Sequence, residues 1–364
     1  MEIGSVLELE CWEKYAVSEK DDAFYLPFMK DKMYNTVFFQ SGRNAIESLL
    51  LLLKKEFGIR RILLPDYMCD TVKDAAKRAE VVQEYYKIDR NYNFKSEEIE
   101  SKLSQDTCLF VAHFFGKKIN KNSLNDILKW KEQGVTIIED ITLSMFSSED
   151  DEGIGFGHYT LGSIRKWLPV PDGGFISSRE NKLPDQLKSS CVSKYTDFYY
   201  MVQAMKREYV QNGYRDQALK NIYMDYYSLS IKELFSDYAL YPVSDWTKNY
   251  LKNYDMQDVI TKRTRNYDYL YEGLSKISWL RLAVKREEGY LPFGMVVQVE
   301  NRDELLQYLI KNNIYCNVHW RLDNVDDNAD AVYLTQHSIT IPCDQRYDLK
   351  EMDYIINTLE RWQK

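Results

Sequence analysis

The sequence predicts an α/β fold: a large, mostly parallel sheet domain followed by a small α+β domain. Three observations carry this. From Thr36 to Ser178, short β-rich runs alternate with helical stretches, the pattern of repeated strand–helix units. Residues 180–275 read as mainly helical and Tyr-rich, with few turn signals. Beyond them, strands and helices of mixed order make a compact closing unit. A chain of 364 residues has room for one large and one smaller domain, here expected at 1–250, with the Tyr-rich region 190–250 inside the first, and 251–364.

In order, the strand "TVFFQ" leads to the helix "SGRNAIESLLLLLKKEFG", and "RILLP" to "DTVKDAAKRA". "VVQEYYKI" precedes "SEEIESKLS", "TCLFVAHFFG" precedes "NSLNDILKWKEQG", and "VTIIEDI" follows. The closing unit comprises strand "GMVVQV", helix "RDELLQYLIKNN", strands "IYCNVHW" and "SITIP", and helix "LKEMDYIINTLERW". No internal repeat or low-complexity linker interrupts the chain.

The bulk composition, 45% hydrophobic and 29% charged, is ordinary for a globular protein. A net charge of −8 provides no basic field to recruit nucleic acid or an acidic membrane. The six cysteines (Cys11, Cys69, Cys108, Cys191, Cys316, Cys343) form no close pairs and no metal-ligand spacing, and the four histidines do not cluster with them. They read as scattered thiols of a reducing compartment, with no metal site expected. The amino terminus "MEIGSVLELECWEKY" is acidic and does not read as a signal peptide. The longest apolar run, Leu49–Leu53, is too short to cross a bilayer. A cytoplasmic protein without nucleic-acid or membrane partners is expected. The 29 tyrosines suit packed helices, a wet interface or a polar small-molecule site equally well.

In parallel sheets, binding residues sit at the carboxyl ends of strands and the starts of the following helices. Ser41, Gly42, Arg43 and Asn44 occupy such a place after "TVFFQ". Free N–H groups of a helix start attract a phosphate, although a plain Ser N-cap explains the same residues. Glu139 and Asp140 end "VTII"; the Asp is either a loop charge or a partner for a protonated cofactor nitrogen. Lys166 stands in "LGSIRKWLPVPDGGFISS" between Arg165 and the apolar Trp167 and Leu168, with Ser163 just before it. The plain reading is an exposed Arg–Lys pair beside a turn. The chemical reading is an amine made nucleophilic by desolvation and a neighbouring cation. Together, an anion cradle, an Asp and a Ser–Lys pair, each at a strand end, match the needs of pyridoxal 5′-phosphate (PLP).

On "SGRNAI", "ILLPDYMCDTVKDA", "VAHFFGK", "IIEDITLS", "GSIRKWLPVPDGG" and "RTRNYDYLYEGL", the chain resembles the DegT-type sugar aminotransferases, PLP-dependent enzymes of fold type I, from about Thr36 to the carboxyl terminus. In that family a lysine precedes a Gly pair by seven and eight positions, as Lys166 precedes Gly173 and Gly174. The resemblance implies that Lys166 carries the internal Schiff base. It further implies that Asp140 pairs with the pyridine nitrogen, and that Gly42, Arg43 and Ser163 help hold the phosphate. Cys69 stands where the family places an aromatic residue that stacks on the cofactor ring, so Tyr67 is a candidate for that stack. Leu143 stands where a Gln or His is common, and Thr142 beside it is expected to pack against the ring. The Gly- and Asn-containing segment after the lysine is replaced by the Tyr-rich 190–260 region. His319 reads as structural, Arg321 as an ion-pair or carboxylate partner, and His113 as a packing residue. The function expected is transfer of an amino group, glutamate being the usual donor, to a keto or aldehyde acceptor, a nucleotide-linked sugar in the family, in a homodimer. Another PLP reaction (a lyase, decarboxylase or dehydratase) and a catalytically silent binding protein are the alternatives.

Overall fold

The computed structural model describes residues 2–17, 26–29, 33–148, 153–187, 192–320, 322 and 328–362. After a short strand β1 (Ile3–Gly4), the chain alternates β2 (Asn35–Phe39), α1 (Gly42–Phe57), β3 (Arg61–Pro65), α2 (Asp70–Arg78), β4 (Val82–Tyr86), α3 (Ser96–Glu100), β5 (Thr107–Ala112), α4 (Lys121–Glu132) and β6 (Thr136–Asp140). β7 (Tyr159–Ser163) and β8 (Gly174–Ser178) follow. Four helices come next: α5 (Lys194–Gln211), α6 (Gln217–Ser236), α7 (Asp245–Asn253) and α8 (Met256–Leu274). The closing unit holds β9 (Arg281–Leu282), β10 (Met295–Gln298), α9 (Arg302–Lys311), β11 (Ile314–Tyr315), α10 (Ala329–His337), β12 (Ser338–Ile341) and α11 (Leu349–Glu360).

The large sheet has seven strands in the order β2-β8-β7-β6-β5-β3-β4. Pairs from β4 through β7 are parallel, and β8 runs antiparallel to both β7 and β2. Its central strands are apolar runs because both faces are covered. Ile62, Leu64, Cys108, Phe110 and Ile138 pack on the α1 and α2 side, while Leu63, Leu109, Val111 and Ile137 face the opposite core. Alternation within each strand thus serves two hydrophobic layers.

The second core gathers around the antiparallel sheet β12-β10-β9, with Tyr267, Leu270 and Leu274 of α8 packing on Met295, Ile339, Met352 and Ile355. Val259, at the other end of α8, packs instead with Tyr250 and Trp167 of the large-sheet side, so α8 ties the two cores together. β1 pairs in parallel with β11. The strand expected over 314–320 is shorter: beyond Tyr315 only Asn317 makes a bridge, to Thr340. Gly4 and Tyr315 close the β1–β11 pairing, and no further partner strand runs beside 316–320 among the described residues. No helix among the described residues is long and apolar enough to cross a membrane.

Candidate active site

At the carboxyl edge of the large sheet, one cleft of about 760 Å³ opens. β2 delivers the chain to the start of α1, where Ser41 is in extended conformation and its hydroxyl accepts the Asn44 N–H at 3.2 Å. That cap leaves the N–H groups of Gly42 and Arg43 ahead of it, the unpaired donors of a first turn. Gly42 lacks the Cβ that would lie 3.6 Å from the Ser163 Cβ, so the space between α1 and the end of β7 stays open. Gly174 permits the approach from below: a Cβ there would fall 2.2 Å from the Ser41 carbonyl carbon. Gly173, just before it, holds φ +118°, a left-handed backbone that glycine adopts without strain. The Gly pair therefore threads β8 under the start of α1.

β6 ends at Asp140, whose Oδ1 accepts the Thr142 N–H at 2.8 Å. Burial pushes its carboxyl up, against the downward pull of Thr142, Lys166 and His113. Lys166 follows β7 in a short 3₁₀ turn, Ile164–Lys166. Burial holds its amine below the usual lysine range; the neighbouring Cys69 and Asp140 oppose this and Arg165 reinforces it. The residue after the lysine is clamped from several sides. The Trp167 indole donates to the Thr142 carbonyl at 2.8 Å, and the Trp167 carbonyl accepts from Gln345 at 2.8 Å and Arg263 at 3.4 Å. The Arg263 guanidinium also lies 4.5 Å from the Trp167 ring centre. Lys166 thus sits on a backbone held by both cores.

No family model matches the sequence, and no curated protein matches it. Solved structures do. The chain is similar to a DegT DnrJ EryC1 StrS aminotransferase from Brucella abortus, with TM-score 0.62 and 15% identity over 90% of this chain and 85% of that one. It is similar to the sugar aminotransferase CalS13 from Micromonospora echinospora, with TM-score 0.61 and 14% identity over 90% and 87%. It is also similar to Spr1654 from Streptococcus pneumoniae in its PLP form, with TM-score 0.61 and 15% identity over 89% and 85%. This chain has the DegT-type aminotransferase fold.

Within that fold, the seven residues expected at the site, Gly42, Arg43, Cys69, Asp140, Thr142, Ser163 and Lys166, all line the one cleft. Their details differ from expectation in three places. The Arg43 guanidinium turns away from the α1 start: it donates to the carbonyls of Leu234 and Asp237 at the end of α6 and lies 3.7 Å from Asp74. A cation is favourable at those last carbonyls, so Arg43 offers the cleft its backbone rather than its charge. Tyr67 does not reach the cleft; it is fully buried behind it, packed on Tyr92, Phe114 and Trp320. The Cys69 thiol contacts the Thr71 hydroxyl at 3.1 Å at the start of α2.

His113 is the residue that sequence reading undervalued. It lines the cleft, its Nε2 lies 2.9 Å from Glu139 Oε1, and its buried Nδ1 has no partner. Glu139, next to Asp140, accepts the N–H groups of Gly155 and Gly157 as well, which locks the imidazole in place. His319 is hydrogen-bonded to Thr340 at 3.1 Å and packs among Phe115, Phe293 and Trp320; burial and the nearby Lys166 push its imidazole down to about 3. Arg321 lies outside the described residues. Among the described residues, no three His, Cys, Asp or Glu side chains gather as metal ligands.

The Tyr-rich region forms the wall that the strands do not. α5 and α6 pack against each other, and Leu234 near the end of α6 lines the cleft. Asp172, six residues after Lys166, anchors this wall: its carboxylate accepts from the Ser244 N–H at 3.0 Å, the Ser244 hydroxyl at 2.9 Å, the Thr196 hydroxyl at 3.2 Å and the Thr247 hydroxyl. Burial outweighs these bonds and pushes Asp172 up to about 6.

Proposed function

We propose that the protein is a PLP-dependent aminotransferase. The observation that carries this is the convergence of Lys166 and Asp140 in one cleft with the first turn of α1 and Ser163. The residues fit the group on three counts. The space that a Cβ at Gly42 would enter is kept free; a locked His113 with an unpartnered Nδ1 borders the cleft; and an acid, Asp140, and an amine, Lys166, line that same cleft. PLP, when bound, supplies an electron sink for a carbanion at the substrate Cα.

The chain's own residues then have distinct tasks. The N–H groups of Gly42 and Arg43, with the Ser163 hydroxyl, bind the phosphate. Asp140, kept in place by Thr142, holds the proton on the ring nitrogen. Lys166 Nζ, whose proton affinity burial lowers, would be the amine that holds the aldehyde end of the cofactor and the base that moves the proton at the donor Cα. Leu143, Phe114 and Trp320 exclude water from one side, and Leu234 from the other.

Glutamate as donor and a keto sugar, nucleotide-linked, as acceptor are the substrates this reading assigns, by likeness to the sugar aminotransferases. A homodimer is part of it, supported by the exposed apolar Met201, Ile222, Met224, Leu229 and Phe235 on α5 and α6. A cytoplasmic setting is supported by the free thiols of Cys11, Cys69, Cys108, Cys316 and Cys343; Cys191 lies outside the described residues. The test is to load the protein with PLP and add glutamate without an acceptor. Stoichiometric conversion of the cofactor to its amine form, with release of the keto acid, is expected. Return of unconverted cofactor with an altered amino acid would assign a lyase-type reaction instead, and failure to take up PLP would leave a binding protein.

A further inference from the structure

Lys166 has a second cation beside it, used so far only for its effect on the lysine amine. Arg165 lines the same cleft as Ser41, Gly42, Ser163 and Lys166. Its guanidinium lies 5.8 Å from the ring centre of Tyr195 and 5.6 Å from that of Tyr199. Tyr199 hydrogen-bonds it, and Tyr227 stands close by. Among the described residues no carboxylate pairs with it.

Most of the buried arginines among the described residues are better supplied. Arg43 has Asp74 and the α6 carbonyls. Arg78 has Glu47, and Arg346 has Asp344 and Glu8. Arg263 has Gln345 and two backbone carbonyls. The first three follow the rule that a desolvated charge is paired, and the Arg263 donors are met by neutral acceptors. Arg165 instead rests on aromatic faces, which attract a cation by about 0.5–2 kcal/mol, less than the several kcal/mol that burying a charge costs. Next to it, the Tyr195 hydroxyl is 1% exposed as a residue and has no hydrogen-bond partner. A guanidinium that lines the cleft and is held only by tyrosines is a donor that an oxyanion completes.

The identity of the oxyanion follows from what else is at that end of the cleft. A phosphate monoester brings close to two negative charges. Against it the chain sets the helix start and the Ser163 hydroxyl, and Arg43, the cation one expects there, is turned toward α6. We propose that Arg165, held between Tyr195 and Tyr199, is the side-chain cation that pairs with the cofactor's phosphate, and that the α5–α6 region exists at this site to set it there. This rests on the PLP reading above. It assigns a role to the Tyr-rich region that replaces the segment expected after the lysine: the tyrosines orient the charge that completes the phosphate site.

The test compares PLP with pyridoxal, the same aldehyde without its phosphate, by titrating each into wild type, Arg165→Gln and Arg165→Lys and following the visible absorbance of the bound aldehyde. Loss of a charged hydrogen bond predicts PLP binding about 10- to 100-fold weaker in Arg165→Gln, with pyridoxal affinity unchanged and part of the PLP affinity restored in Arg165→Lys. Inorganic phosphate should compete with PLP more weakly in Arg165→Gln than in wild type. Equal weakening for both aldehydes would overturn the proposal and leave Arg165 only its effect on the Lys166 amine or a packing role. Unchanged PLP affinity with a raised KM for the amino-acid donor would overturn it too, and assign Arg165 to the substrate carboxylate. Both of these arise with wild type loading PLP normally, so they fail this proposal alone; a wild type that takes up neither aldehyde fails the PLP reading as well.

Discussion

The two walls of the cleft are built differently. One is the carboxyl edge of the sheet, where β6 and β7 end at Asp140 and Ser163, Ser41 stands two residues past β2, and Lys166 three past β7. The other is the α5–α6 region, which reaches the cleft with Leu234, holds Arg43 through the carbonyls of Leu234 and Asp237, and is moored by Asp172 to the loop after Lys166. The sheet edge carries the groups proposed to react; the helical wall lines the cleft beside them. Chemistry is therefore expected to fail when the first is altered, and binding when the second is.

The largest effect belongs to the sheet edge. Lys166→Ala should lose transamination by at least about 10³-fold, the scale of a missing acid–base group that also bonds to the cofactor, with the fold intact by circular dichroism. Activity retained in that variant would dissolve the distinction between the walls. Asp140→Asn is next: removing the charge that holds the ring proton should lower kcat by about 10²-fold while PLP still binds. On the helical side, Asp172→Ala strands the donors of Thr196, Ser244 and Thr247, and should lower unfolding stability by about 3 kcal/mol, measured by denaturant titration. Leu234→Ala should weaken PLP binding about fivefold, near 1 kcal/mol, and leave kcat at saturating PLP unchanged; a fall in kcat would move Leu234 to the reacting side.

An effect of similar small size tests the sheet edge as a passive frame. His158, between β6 and β7, accepts the Ile137 N–H on Nδ1 at 3.0 Å, a bond only the neutral ring makes. Burial pushes it down to about 4, below its ordinary value of 6.5. The unfolded chain then binds more protons between those values, so this contribution to stability is full above about pH 6.5 and is lost as the pH falls toward 4. Allowing for its partial exposure, the loss is about 1–2 kcal/mol. The difference in stability between wild type and His158→Gln should shrink across that window; a constant difference would show the ring is not held neutral.

How much of this was legible follows the same division. The sheet-edge residues could be read because strand ends and helix starts are local features: the turn residues 41–44, the acid ending an apolar run, and the lysine before a Gly pair each leave a sequence mark. Gly174 shows why the mark exists, since a side chain there would collide with Ser41. The helical wall left no such mark. Nothing in the order of residues reveals that Leu234 meets Arg43, that Tyr67 is buried while Phe114 and Trp320 border the cleft, or that Arg165 lies between two tyrosines thirty residues on. Those contacts depend on how α5 and α6 dock, a tertiary outcome that tyrosine-rich helical periodicity does not encode. His113 falls between the two: its place at a strand end was visible, but its lock by Glu139 requires the register of β5 against β6.

The central claim is that Lys166 is the amine that bonds to the cofactor. The direct measurement is to incubate the protein with PLP, reduce with borohydride, digest, and map the modified peptide by mass spectrometry. One phosphopyridoxyl group per chain is expected on Lys166, absent from Lys166→Ala. Labelling on another lysine, or equal labelling in the variant, would contradict it.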